Sequence, residues 1–78
     1  MKQVKNEPKI LIADDSMMNR AVLSEILGDE YVYLYAENGV QALEVLEQNL
    51  DVDLLLLDIN MPVMDGFGVL DVMRRRHW

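Results

Sequence analysis

Two apolar runs in this chain end in carboxylates. Leu54-Leu55-Leu56-Leu57 runs into Asp58, and Ile10-Leu11-Ile12-Ala13 runs into Asp14-Asp15. A short apolar run without alternation is the pattern of a strand covered on both faces, so each acid stands where its strand leaves the core. Carboxylates brought together from neighbouring strands repel one another, and they are tolerated when a cation is shared or when one keeps its proton. An all-oxygen set with no His or Cys beside it suits a hard ion. Mg²⁺ is the first choice, because it commonly takes one or two carboxylates and keeps several waters. Ca²⁺ fits less well, since no EF-hand spacing is present. A plainer reading makes these acids helix caps, with Asp14 and Asp15 before one helix and Asp65 before another. That accounts for Asp65 well and for Asp58 poorly.

The elements that must position these acids follow from periodicity. Lys9 to Ala13 reads as a first strand, and Ser16 as the cap of a helix with Met18, Val22, Leu23, Ile26 and Leu27 on one stripe. Gly28 is its C-terminal stop. From Tyr31 to Ala36 the residues alternate, Tyr31, Tyr33 and Tyr35 on one face and Val32, Leu34 and Ala36 on the other, which suits a less buried edge strand with the tyrosines stacked on a helix. Asn38-Gly39 has the composition of a hairpin turn, but Val40, Leu43, Leu46 and Leu50 follow at helical spacing, so Asn38 is taken as a cap. Asp53 to Ile59 is the third strand, and Asp65-Gly66 opens a last helix with Phe67, Leu70 and Met73.

The order is βαβαβα. Alternating strands and helices imply parallel pairing through right-handed crossovers, with helices on both faces. Placing the tyrosine strand outside gives an α/β, doubly wound sheet of order 2-1-3. Ligands of such sheets bind beyond the carboxyl ends of the strands, where the crossovers diverge. Asp14, Asp15 and Asp58 all fall there.

Composition narrows the function further. The 78 residues are 51% hydrophobic and 27% charged, which describes one globular domain with residues 1–8 as a flexible segment ahead of it. No apolar stretch approaches the roughly 18 residues of a membrane span, and Met1 to Pro8 is too polar for a secretory leader. A net charge of −7 repels phosphate backbones, so nucleic acid is not an expected partner of this domain. The absence of cysteine removes disulfides and thiolate metal sites and agrees with a cytoplasmic protein. Arg74-Arg75-Arg76 is expected to complement a helix C-terminus and face water. Met17, Met18, Met61, Met64 and Met73 read as core or loop packing, and His77 beside Trp78 has no partner that suggests catalysis.

Ile12-Ala13-Asp14-Asp15-Ser16, followed by Leu57-Asp58-Ile59-Asn60-Met61-Pro62-Val63-Met64-Asp65-Gly66, resembles the receiver domain of two-component response regulators. Ala36-Glu37-Asn38-Gly39-Val40-Gln41-Ala42-Leu43 is similar to that family's entry into its second helix. The resemblance implies a flavodoxin-like fold and makes Asp58 the acceptor of a phosphoryl group from a sensor histidine kinase or a phosphotransfer protein. It implies Mg²⁺ bound by Asp15, Asp58 and the backbone carbonyl of Asn60, with Asp14 assisting through water. Such a domain promotes its own phosphorylation and dephosphorylation and is not otherwise an enzyme.

The family's sheet has the order 2-1-3-4-5, and this chain is expected to supply only the first three strands, a truncated receiver. The Ser or Thr that ends strand four, the Lys that ends strand five and the signalling face they build are not carried over. The third strand then becomes an open apolar edge, which invites pairing, and a homodimer through that edge is the expectation. Two other functions stand beside phosphoacceptance. One is a self-associating scaffold without phosphotransfer. The other is a haloacid-dehalogenase-like phosphatase, disfavoured because that family wants D-x-D where this chain has Asp14-Asp15-Ser16.

Overall fold

The computed structural model describes residues 7–78, so positions 1–6 of the segment expected to be flexible lie outside the described residues. Pro8 leads into β1 (Lys9–Ala13), and its carbonyl accepts from the Val32 amide at 2.9 Å. Then follow α1 (Met17–Leu27), β2 (Val32–Ala36), α2 (Gly39–Gln48), β3 (Leu54–Leu57) and α3 (Gly66–Arg76). The strands are parallel in the order β2-β1-β3, as the alternation of elements implies. Leu11 lies opposite Leu34 on one side and Leu55 on the other.

Because side chains alternate across a strand, β1 serves two layers. Leu11 and Ala13 join Ala36, Ala42, Leu43, Met61 and Val69 in the main core beneath α2 and α3. Ile10 and Ile12 point the other way, toward α1, and are also buried. Strand β1 is thus paired on both edges and covered on both faces. Strand β3 has the same apolar composition but lies at the edge of the sheet, where Leu54 is exposed and Leu55, Leu56 and Leu57 are only partly buried. It is also shorter than Asp53 to Ile59, although the Asp53 amide bonds the Lys9 carbonyl at 2.8 Å and the Asp58 amide bonds that of Ala13 at 2.9 Å.

Each helix starts where a polar side chain can accept from its first turn. Ser16 accepts from the Asn19 amide, Asn38 from that of Gln41 and Asp65 from that of Gly68. Helix α1 ends at Gly28, whose φ of 96° only glycine adopts freely. The tyrosines share a face as expected, with ring centroids 6.3 and 6.4 Å apart, and the Tyr33 hydroxyl donates to the Gly28 carbonyl at the end of α1.

Two helical faces and one residue beyond a helix end differ from expectation. The α1 stripe is not buried: Met18 is 75% and Ile26 72% exposed, and Met17 is exposed as well. A lone helix on a sheet buries only what lies directly beneath it, and its flanks need a neighbouring helix. On α3 the core face is Val69, Val72 and Met73, while Phe67 and Leu70 point outward. The helix is apolar on more than one side, so its spacing alone did not say which side faces in. Leu50 lies past the end of α2 and is exposed. Arg74 and Arg75 pair with Asp71 in the last turn of α3, and Arg76 reaches Glu47 of α2.

Two outcomes follow from this packing. Leu11 is fully buried between both partner strands, so Leu11→Ala is expected to cost about 3 kcal/mol in denaturant unfolding. At the opposite end of β1, Lys9 Nζ lies 2.9 Å from Asp51 Oδ2. The hydrogen bond from Lys9 holds the Asp51 carboxyl below its ordinary value of 3.8. A carboxylate depressed in this way stabilises the fold above its unfolded pKa, and the contribution is lost as pH falls through the lower folded value. Both groups face water, so the effect is small and screened by salt. In an NMR titration Asp51 should titrate below 3.8, and Lys9→Ala should move it back up.

Candidate functional site

The acids meet because of the ladder register. The Asp14 amide bonds the Ala36 carbonyl of β2 at 3.0 Å, and the Asp58 amide bonds the Ala13 carbonyl of β1 at 2.9 Å. Both ladders therefore run one residue past the strands and hold Asp14 and Asp58 side by side at the carboxyl end of the sheet. Carboxylate oxygens of Asp14, Asp15 and Asp58 all lie within 4.8 Å of one another.

The three differ in surroundings. Asp14 is buried at 8% exposure, and its oxygens accept from the Ser16 amide at 2.9 Å and from Asn19 Nδ2 at 3.4 Å. Asp15 is exposed, and Asp58 is half-buried. The Asn60 amide turns back to Asp58 Oδ1 at 3.3 Å, which sets the start of the loop after β3. Ser16, not Asp14 or Asp15, caps α1. The capping explanation therefore holds for Asp65 and leaves Asp15 and Asp58 without a structural purpose of that kind.

An open pocket of about 270 Å³ adjoins the cluster, lined by Ala13, Asp14, Leu23, Leu56, Leu57 and Asp58. Four of these six residues are apolar and the other two are acids of the cluster. Three carboxylates this close, one of them buried, form a hard-oxygen donor set that calls for positive charge. Mg²⁺ fits these donors by ligand type and by number.

Several contributing residues carried no signal in the sequence. Arg20 lies one turn into α1, and its guanidinium donates to the Asp14 carbonyl at 2.6 Å, fastening the β1–α1 turn. Asn19 does the same for the Asp14 side chain. Neither belongs to a recognisable spacing with the acids. The loop from Asp58 to Gly66 has a further feature in Val63, which holds a φ of 68° while the Met64 amide bonds the Pro62 carbonyl at 2.7 Å. A three-residue turn of this hand is rare and strained, above all at a β-branched residue. Pro62 supplies the turn's acceptor.

A doubly wound parallel sheet with carboxylates clustered beyond its strand ends defines an α/β domain whose candidate site lies at the carboxyl end of the sheet. The chain belongs to the response regulator receiver domain family, whose model matches residues 10–78. It is 42% identical over 67 residues to the sensor histidine kinase RcsC of Escherichia coli and 45% identical over 67 residues to the autoinducer 1 sensor kinase/phosphatase LuxN of Vibrio campbellii. These matches take in 85% and 83% of this chain but only 7% and 8% of the relatives. Among solved structures, the signal receiver domain of an HD domain-containing protein from Pseudomonas fluorescens Pf-5 superposes with a TM-score of 0.82 at 27% identity. That match covers 99% of this chain and 57% of the other. The CheX–CheY–BeF3–Mg²⁺ complex from Borrelia burgdorferi gives a TM-score of 0.78 at 29% identity, covering 90% of this chain and 55% of the other. The fold is thus that of the phosphoacceptor modules of phosphorelays, and the chain spans little more than half the length of these solved relatives.

Strain at Val63 makes a direct prediction. Since Val63 is 81% exposed, Val63→Gly removes little packing and relieves the turn. Unfolding stability is expected to rise by about 1 kcal/mol, the lower end of what such a residue stores.

Proposed function

We propose that this chain accepts a phosphoryl group on Asp58, with Mg²⁺ held by Asp15, Asp58 and the Asn60 carbonyl and with Asp14 assisting through water. The observation that carries this reading is the convergence of three carboxylates at the ends of β1 and β3. The donor would be a phosphohistidine on a sensor histidine kinase or a phosphotransfer protein. A carboxylate oxygen of Asp58 forms a bond to phosphorus as the phosphorus–nitrogen bond of the donor breaks, and the departing imidazole takes up a proton. Mg²⁺, when bound, supplies positive charge beside the transferred oxygens, which is most of what phosphoryl transfer requires.

The chain's own residues do the rest. Asp58 is half-buried and held by its backbone to Ala13, so its carboxylate faces the open end of the sheet. Asp14 is fixed by Ser16 and Asn19 and leaves Asp15 projecting to water, where a hydrated cation enters. The modified group is part of the chain itself, so the domain acts as a recipient that promotes its own modification, not as an enzyme with turnover on a separate substrate.

Support for the partner comes from the relatives, which are sensor kinases by name. Support for Mg²⁺ comes from the donor set and from the similar solved structure that contains it. No helix among the described residues is long and apolar enough to cross a membrane, and we place the domain in the cytoplasm, where a kinase would reach it. The outer edge of β3 has no strand beside it among the described residues, and we propose that the isolated chain forms a homodimer across it.

Three measurements bear on these proposals. Given Mg²⁺ and acetyl phosphate, the chain should gain the mass of one phosphoryl group, and Asp58→Asn should gain none; a folded chain without an adduct would favour a scaffold role. In calorimetric titration, Asp15→Asn combined with Asp58→Asn should weaken Mg²⁺ binding by more than about tenfold, since even changes behind the ligands cost that much. Undiminished binding would refute the ligand assignment. Sedimentation should show a dimer, and a compact monomer at high concentration would rule out pairing through β3.

A further inference from the structure

The Asn38-Gly39 entry to α2 has so far served only as a helix start. It also touches the acceptor loop. The Gly39 amide donates to the Met64 carbonyl at 2.8 Å, using a donor that the first turn of a helix leaves free. A Cβ at position 39 would stand 2.5 Å from that same carbonyl oxygen and 2.8 Å from Met64 Cβ and Cγ. Glycine is therefore required here by close approach, not by an unusual φ.

Met64 is enclosed from the other side as well. A Cβ at Gly68 would meet Met64 Cγ at 2.7 Å, and one at Gly66 would meet the Asp58 carbonyl at 2.6 Å. Glycines on two helices thus leave a seat for the segment from Asp58 to Gly66. Within it, Gly66 bonds the Ile59 carbonyl at 3.0 Å, and Met61 is buried in the main core. Between these anchors and Met64 lies the strained turn at Val63. Such a turn persists only where its surroundings over-determine it.

We infer that the bond from Gly39 to Met64 is a latch that positions the acceptor loop, making Gly39 and Met64 positioning residues for the Mg²⁺ site. The inference rests on reading Asp58 and Asn60 as part of that site. Asn60 begins the loop and Met64 closes it, with only Met61, Pro62 and Val63 between. Shifting the Met64 carbonyl moves the far end of a short segment whose near end holds metal ligands. The latch also joins the entry of α2 to the acceptor, so a change in how α2 sits on the sheet reaches the site through one hydrogen bond.

The test is Mg²⁺ titration by calorimetry with thermal unfolding of the same samples, on the unaltered chain, Gly39→Ala, Gly68→Ala, Gly68→Ala with Met64→Ala, and Ile10→Ala. The unaltered chain checks the reading of the site: if it binds no Mg²⁺, that reading fails and the latch with it. Given binding there, Gly39→Ala and Gly68→Ala should each weaken it about tenfold, the scale of changes behind metal ligands. The added Met64→Ala should restore affinity to Gly68→Ala, because it removes the colliding side chain and keeps the carbonyl bonded to Gly39. Ile10→Ala opens a cavity on the α1 side of the sheet, outside the core that holds Met61 and Met64, and should lower the unfolding temperature without changing Mg²⁺ affinity. Should Gly39→Ala fail to fold, the Gly68 pair decides. Mg²⁺ affinity within twofold of the unaltered chain in folded Gly39→Ala or Gly68→Ala would overturn the latch, as would equal weakening in Ile10→Ala.

Discussion

The parallel pairing of β1 with both of its neighbours is the constraint from which the rest of the structure follows. One ladder extends past β1 to join Asp14 to Ala36, and the other extends past β3 to join Asp58 to Ala13. Backbone hydrogen bonds cannot be left unmade in a buried strand without a penalty of a few kcal/mol. The register is therefore stiff, and with it the distance between carboxylates that would otherwise drift apart. Packing enforces the same arrangement, since Leu11 and Ile12 are fully buried on opposite faces and a slip of one residue would exchange them. The fold spends its most rigid element on holding like charges together.

Around that rigid centre the two sides of the sheet differ. The face under α2 and α3 contains the main core, and the loop from β3 to α3 is tied into it through Met61 and Met64. The α1 face is thinly covered, with exposed apolar side chains along the helix. The Asp58 side of the cluster is consequently anchored in many places, whereas Asp15 sits on a short turn held by Ser16, Asn19 and Arg20. Asp15 is exposed and Asp58 half-buried, so the cluster opens to water on the Asp15 side.

Much of the fold was legible because the strands and caps announce themselves. Ser16, Asn38 and Asp65 cap the helices they were expected to cap, Gly28 ends α1, and the alternating tyrosines mark an edge strand. The acids of the site were legible for a related reason, since an acid after an apolar strand has few structural explanations. What did not show was the choice among apolar faces. Phe67 and Val69 differ little in polarity, and the preference for Val69 arises from which side of α3 the sheet happens to meet. The stripe on α1 misled in the same way, because periodicity reports a face able to be buried without reporting what covers it.

The sequence by itself determined the order of elements, the strand order and the identity of the clustered carboxylates, because hydrophobic period, capping chemistry and the acid positions are local properties of the chain. Only the tertiary structure decided how closely those carboxylates approach, that Arg20 and Asn19 brace them, that Gly39 yields space to Met64, and that Val63 is held in a strained turn. These depend on distances between segments remote in sequence. Such distances are set by the packing of helices onto the sheet, and no local pattern of residue types records them.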